Sequence, residues 1–289
     1  MVENNSFRNL MKKNGIITLP GVYDCLSAKI AESVGFDALF TSGFGIAASG
    51  FGLPDYGLIS GTEILDTTAR ICKSVDIPLL ADIDTGYGNP LNVIRTVKEI
   101  TSSGIAGIIL EDQKWPKRCG HLEGKEIISL EEHVEKIKAA RYAAGDTDLV
   151  IIARTDSRSV SGLDEAIRRG NSYIEAGADV LFIEAPESVN ELKTIASEFR
   201  ETPLFANMVE GGKTPVLKSE ELENMGFKIV VYPLAGLFSA AGALVNIYKY
   251  VKENNTTLGN KFETDFGSFK KIINIDHFRQ LEKKFLSHG

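Results

Sequence analysis

Eight apolar runs rich in β-formers recur along the chain, at residues 16–19, 38–41, 78–81, 107–110, 149–153, 180–183, 203–206 and 228–232, each followed by a stretch with helical spacing. They are nearly continuous in apolar character rather than alternating, which is how strands read when helices cover both faces of a parallel sheet. Eight strand–helix units repeating at about 30 residues are what a (β/α)8 TIM barrel requires. At 289 residues, with 43% apolar and 25% charged side chains, the chain is long enough for such a barrel and an extension. A doubly wound open sheet is the structural alternative. No Pro/Gly/Ser-rich linker divides the chain, so residues 1–289 are expected to form a single domain with a helical appendage over roughly 255–289.

Helix ends are legible between the strands. Asn89-Pro90 opens one helix, with a favoured cap and proline at the first helical position, and Ser102-Ser103-Gly104 closes it. Ser129 with Glu132 predicts a capping box for a helix that runs through Ala144 and stops at Gly145. Two more helices begin near Gly162 and Glu187. After the eighth unit a helix over 235–253 leads into a polar loop, 254–260. A single helix over 269–286 follows, whose stripe of Ile272, Ile273, Ile275, Phe278, Leu281 and Phe285 needs covering by the barrel or by a neighbouring subunit.

Several classes of partner are disfavoured. The net charge of −7, from 32 basic and 39 acidic residues, and the lack of a basic block interleaved with aromatics argue against nucleic acid. No apolar run approaches the roughly 20 residues of a membrane span, and the first fourteen residues lack the apolar core of a leader. Cys25, Cys72 and Cys119 are odd in number and far apart, which suits reduced thiols. A cytoplasmic protein acting on a small molecule is expected.

In a barrel of this kind, polar residues at the C-terminal ends of the strands face the active site. The chain places Ser42-Gly43 after the second run, Asp82-Ile83-Asp84-Thr85-Gly86 after the third, Glu111-Asp112 after the fourth and Arg154-Thr155-Asp156 after the fifth. Glu184 follows the sixth, Asn207 and Glu210 the seventh, and the second loop adds Asp55. Asp82 and Asp84, two residues apart, are expected on one face of an extended strand, where they meet Glu111. Unpaired, these acids repel. A hard divalent cation, Mg²⁺ or alternatively Mn²⁺, held by Asp82, Asp84, Glu111 and Asp55 resolves that repulsion, and pairing with Arg154, Lys117 and Arg118 is the competing account.

Lys117-Arg118-Cys119-Gly120-His121 sets a thiol between two cations and a histidine. Positive neighbours lower a cysteine's pKa and suit it to proton chemistry, although a basic surface loop has the same composition. Zinc is a poor fit, since no second pair of soft ligands lies near Cys119 and His121. His133, His277 and His288 read as solvated, and Trp115 as packing the loop or lining the pocket. Gly43-Phe44-Gly45-Ile46-Ala47-Ala48 matches a dinucleotide fingerprint only briefly, because Gly50, Gly52 and Pro54 interrupt any helix. Main-chain N–H groups at Ser42 and Gly43 read better as donors to a small anion.

Taken together, Ser42-Gly43, Leu53-Pro54-Asp55, Asp82-Ile83-Asp84-Thr85-Gly86, Glu111-Asp112-Gln113, Lys117-Arg118-Cys119-Gly120-His121, Arg154-Thr155-Asp156 and the stretch from Asn207 to Pro215 resemble the isocitrate lyase and phosphoenolpyruvate mutase superfamily. The resemblance runs from about Gly21 to Tyr250. It implies a barrel whose eighth helix is exchanged between subunits, in homotetramers built as dimers of dimers. It also implies Mg²⁺ or Mn²⁺ holding the carboxylate and 2-oxygen of a pyruvate-like unit, beneath a gating loop that carries the Lys-Arg-Cys-Gly-His motif. In the lyase branch that cysteine is the general acid, so Cys119 points to carbon–carbon cleavage. Phe40, Ile109 and Val209-Glu210-Gly211-Gly212 depart from the methylisocitrate lyase pattern and, with Trp115-Pro116-Lys117, are more similar to the 2,3-dimethylmalate lyase and petal death protein group.

The resemblance therefore implies cleavage of a 2-hydroxy-2-methyl dicarboxylate, 2,3-dimethylmalate first, to pyruvate and propionate. Methylisocitrate lyase, oxaloacetate hydrolase and carboxyphosphonoenolpyruvate mutase activities are the alternatives, and a non-catalytic metabolite-binding barrel is the rival from another class. Cys119, Asp55, Arg154, Lys117, Arg118, His121 and Glu210 are the expected catalytic residues, with Asp55 or a metal-bound water as base. Ser42, Gly43, Gly120, His121, Arg154, Glu184 and Asn207 are expected to bind the substrate.

Overall fold

The apolar runs form strands within three residues of their expected bounds. In the computed structural model, which describes residues 6–286, these are β1 Ile17–Val22, β2 Leu39–Thr41, β3 Leu79–Asp82, β4 Gly107–Glu111, β5 Val150–Thr155, β6 Val180–Ile183, β7 Phe205–Asn207 and β8 Ile229–Tyr232. All pair in parallel, in the order β6-β5-β4-β3-β2-β1-β8-β7. A parallel bridge between Leu181 and Leu204 joins the two remaining edges. The ring is a nearly closed (β/α)8 barrel, and the open-sheet alternative falls.

Helices form where their caps predict. Asn89 Oδ1 accepts hydrogen bonds from the Leu91 and Asn92 backbones at 2.9 and 3.3 Å, starting the helix Pro90–Ser102. Ser129 Oγ accepts from Glu132 N at 3.1 Å and starts Leu130–Ala144, so only the serine half of the expected capping box forms. The segment after β2 is more helical than its glycines suggest. Gly43–Ile46 continues as a wider turn, Ala47–Phe51, which ends at left-handed Gly52 (φ 64°).

Period two along each strand sorts the side chains into layers. Leu19, Leu80, Val150, Ile152, Val180 and Ile229 fill the barrel's interior, and Phe7 and Leu10 of the helix Phe7–Lys12 plug its N-terminal end. Higher up, Phe40, Ile109, Phe182, Phe205 and Val231 form an aromatic and aliphatic floor. Phe205 lies between Phe40 and Phe182, with ring centroids 6.3 and 4.8 Å away. One more inward step reaches the polar rim, at Ser42, Glu111, Arg154, Glu184 and Asn207.

Beyond β8 the chain leaves the barrel. The helix Ala235–Asn254 buries none of its residues, and Leu244, Val245 and Tyr248 are exposed. The single helix expected over 269–286 is two, Phe266–Ile272 and Ile275–Phe285, because Asn274 takes a left-handed conformation (φ 53°) that ends one helix before the next begins. His288 lies outside the described residues. His133, expected in solvent, is fully buried against the Tyr173 ring, 4.6 Å between centroids, and burial holds its pKa well below the usual imidazole value. Among the described residues, no helix is long and apolar enough to cross a membrane.

Candidate active site

A pocket at the C-terminal end of the barrel is lined by the floor residues and by Ser42, Asp55, Asp82, Lys117, Cys119, Gly120, His121, Arg154, Glu184 and Asn207. Its upper wall is apolar, made of Phe44, Val209, Pro233 and Leu234. Sequence reasoning assigned these apolar residues no place. Period two, read upstream from Glu184 and Asn207, would have found Phe182 and Phe205.

The acids converge, but not by strand alternation alone. β3 ends at Asp82, and Asp84 turns back through a left-handed conformation (φ 48°), with its N–H 3.1 Å from Asp82 Oδ1. Lys117 Nζ lies among them, 2.5 Å from Asp55 Oδ1 and 2.8 Å from Asp84 Oδ1. Glu111 is buried with Oε1 lacking a hydrogen-bond partner. Burial pushes its carboxyl well up, against the opposing pull of Arg154, and raises Asp84 to about 7 although Lys117 opposes this. A Cβ at Gly43 would sit 3.3 Å from Asp84 Oδ1 and 3.4 Å from Asp82 Oδ2, so glycine lets the main chain lie against the acids.

Arg154 lies within a ring of carboxylates. Its Nε and Nη2 donate to Asp156 at 2.9 and 3.1 Å, its Nε lies 3.4 Å from Glu111 Oε2 and its Nη1 3.3 Å from Glu184 Oε2. Its guanidinium carbon stands 5.2 Å from the centroid of Phe182, the ring forming one wall of its socket. Glu184 is stabilised as a carboxylate: burial opposes ionisation, but Arg154 and His121 more than offset it and hold the pKa below the usual range. Asn207 Nδ2 donates to Glu184 Oε2 at 3.2 Å.

The motif loop divides in a way its composition did not reveal. Cys119, Gly120 and His121 face the pocket, whereas Arg118 is exposed, donates to the Glu123 carbonyl at 3.0 Å and stands 5.8 Å from the Tyr56 ring centroid. Arg118 is therefore not brought to the pocket. His121 Nδ1 accepts from Lys213 N at 3.0 Å, and its Nε2 is 3.3 Å from Glu184 Oε1. A Cβ at Gly120 would lie 2.5 Å from Arg154 Nη2 and 2.6 Å from Glu184 Cγ, so the loop approaches this closely because residue 120 is glycine.

The thiol is not lowered as its basic neighbours suggested. Burial pushes Cys119 up to about 11, Asp55 and Glu184 add to the rise, and Arg154 only partly opposes it. Lys117, two residues before the thiol, spends its charge on Asp55 and Asp84, and Arg118, next to it in sequence, is turned to the surface. The surroundings of Cys119 thus favour the protonated thiol. Glu210 is exposed and does not line the pocket, whereas its neighbour Val209 does. Trp115 packs edge-on against Tyr87 and lies outside the pocket, with 6.2 Å between centroids.

Among the described residues, no group of three or more His, Cys, Asp or Glu is arranged as a metal cluster. The donor chemistry nevertheless fits a hard divalent cation. Glu111 Oε1 has no hydrogen bond, and Asp55 and Asp84, close to Asp82, share a single ammonium, a surplus of hard oxygen donors.

The model of the phosphoenolpyruvate phosphomutase family matches residues 7–252. Similar proteins include the petal death protein of Dianthus caryophyllus, 44% identical over 97% of this chain and 88% of its own length, and 2,3-dimethylmalate lyase of Eubacterium barkeri, 43% identical over 96% of each. A 2-methylisocitrate lyase of Halalkalibacterium halodurans is 42% identical over 96% of this chain and 91% of its own. A crystal structure of 2,3-dimethylmalate lyase superposes with a TM-score of 0.91 at 36% identity, covering 96% of this chain and 93% of that one. Phosphonopyruvate hydrolase in complex with oxalate and Mg²⁺ superposes at 0.88 and 28%, covering 99% and 100%. The chain belongs to the phosphoenolpyruvate mutase and isocitrate lyase superfamily, whose barrel and site motifs it carries.

Proposed function

We propose that this protein is a Mg²⁺-dependent carbon–carbon lyase that cleaves a 2-hydroxy-2-methyl dicarboxylate, 2,3-dimethylmalate first, to pyruvate and propionate. Its relatives named as lyases support the reaction class. The observation that carries the reading is the Cys119 thiol facing a pocket whose upper wall is apolar.

Asp82, Asp84, Glu111 and Asp55 are the residues that would hold the cation, consistent with the Mg²⁺ named for the hydrolase complex. When bound, it polarises the substrate's 2-oxygen and lowers its pKa. Asp55, in the pocket lining beside Lys117, accepts the 2-hydroxyl proton. Loss of that proton forms the C2 carbonyl as the C2–C3 bond breaks, leaving its electron pair on the departing carboxylate fragment as an enediolate. Cys119 protonates that fragment at carbon, giving propionate. Arg154 binds a substrate carboxylate through N–H groups not used by Asp156, and Ser42 and Gly43 border the 2-oxygen.

Charge accounting favours two carboxylates over three. Of the lysine and arginine side chains lining the pocket, Lys117 is taken up by Asp55 and Asp84, and Arg154, shared with Asp156 and Glu184, is left for one substrate carboxylate. A carboxymethyl group in place of the 3-methyl would meet Phe44, Val209 and Leu234 without a partner, at a desolvation cost. Product analysis with 2,3-dimethylmalate, 2-methylisocitrate and oxaloacetate at matched concentrations tests this. Preferential succinate release from 2-methylisocitrate, or oxalate from oxaloacetate, would replace the reading, and phosphorus-31 NMR with a phosphonate substrate tests the mutase alternative.

The exposed apolar residues of Ala235–Asn254 support a helix exchanged with a neighbouring copy, in the tetramer that the family resemblance implies.

A further inference from the structure

The loop that carries Cys119 is anchored at both its ends and, separately, near its tip. At the base, Gln113 and Ile127 form an antiparallel bridge, and Gln113 exchanges side-chain hydrogen bonds with the Arg118 backbone at 2.8 and 2.9 Å. Between base and tip lies Lys125, whose side chain is 2% exposed. Its ammonium donates to the Gly120 carbonyl, next to Cys119, and lies 3.1 Å from Asp156 Oδ1. Asp156 Oδ1 also accepts from Arg154 Nη2 at 3.1 Å, while Asp112 Oδ1 fixes the Asp156 N–H at 2.9 Å. One carboxylate oxygen thus receives both the lysine that holds the loop and the arginine that faces the pocket.

A buried ammonium is strongly unfavourable unless paired, and this one is paired across the gap between a loop and the barrel wall. We propose that Lys125 is a positioning residue: by joining the Gly120 carbonyl to Asp156, it latches the Cys119 loop shut in register with Arg154. The latch deepens the lyase reading and rests on it only for its kinetic consequence, since the closed loop is what sets the thiol over the pocket. Gly120 and His121 complete the closure against Arg154, Glu184 and Lys213 N, and Lys125 ties the loop to Asp156, just past the strand that carries the arginine.

The test is Lys125→Met, which keeps the aliphatic stem and removes the charge. The readout is the rate at which iodoacetamide alkylates Cys119, followed by mass spectrometry at pH 9 without substrate, with Cys72 near the base of the barrel as internal reference. Losing a charge-assisted hydrogen bond of this kind opens the loop about ten- to a hundredfold more often, so Cys119 alkylation should accelerate by that factor while Cys72 does not change. A Cys119 rate unchanged in the variant overturns the latch. Equal acceleration at Cys72 overturns it too, by assigning Lys125 to general stability. In turnover, kcat should fall by a larger factor than KM rises, because Arg154 keeps its hydrogen bonds to Asp156; a rise confined to KM contradicts the positioning role. If the unaltered protein cleaves no 2-hydroxy acid, the lyase reading fails alone, and the alkylation rates still decide the latch.

Discussion

Lys117 Nζ lies 2.5 Å from Asp55 Oδ1, with both side chains more than nine-tenths buried. Lys117 also pairs with Asp84, so its charge is used among these carboxylates, which explains why the lysine next to Arg118 does not lower the thiol. Lys117→Met leaves those acids uncompensated and should destabilise the protein by about 3–5 kcal/mol, the usual loss when one partner of a buried pair is removed. Chemical denaturation measures it. Millimolar Mg²⁺ should recover more stability in the variant than in the unaltered protein, and equal recovery in both would contradict a cation site at these acids.

Cys119→Ser replaces the thiol with a hydroxyl that is a weaker acid. Cleavage should fall by about two to four orders of magnitude in kcat/KM, the range for loss of a general acid. Pyruvate binding, followed by calorimetry, should be unchanged. Full activity in the variant would remove Cys119 from the mechanism.

The pH dependence of the same thiol has a definite sign. Its ordinary value is near 9 and its value in the fold is about 11, so folding favours the protonated form. That contribution to stability is fully present below about pH 9 and is lost as pH rises through about 11. At pH 9 only about one Cys119 in a hundred is ionised, so its alkylation rate should climb about tenfold per pH unit up to about 11. A plateau already reached at pH 8 would indicate a lowered thiol instead.

The helix Ala235–Asn254 presents Leu244, Val245 and Tyr248 to solvent in the single chain. An exchanged helix buries such residues in a neighbour. Val245→Asp should therefore lower the molar mass measured by light scattering on a sizing column, without altering the far-ultraviolet circular dichroism of the barrel. An unchanged mass would leave the exchange unsupported.

The barrel was legible because its determinants are local and repeated. Continuous apolar runs such as Val180–Ile183, followed by capped helices such as Pro90–Ser102, specify strand and helix without reference to distant residues. The rim residues Asp82, Glu111, Arg154, Glu184 and Asn207 could be read from their places at the strand ends, since period two and barrel closure carry them inward. Arg118 and Glu210 do not reach the pocket because both lie in irregular segments outside the strands, where strand alternation does not set side-chain direction.

The sequence by itself determined the fold class, the end of the barrel that carries the chemistry and the family, because all three follow from order and spacing along one chain. Only the tertiary structure decided the electrostatics. Whether Cys119 is lowered or raised depends on where Lys117 spends its charge and how much water the closed loop excludes, and both are set by contacts between β3, β4, β5 and a loop more than thirty residues from its partner at Asp156. Burial then outweighs the basic neighbours, which is why the motif's composition pointed to a lowered thiol pKa and its folded environment raises it.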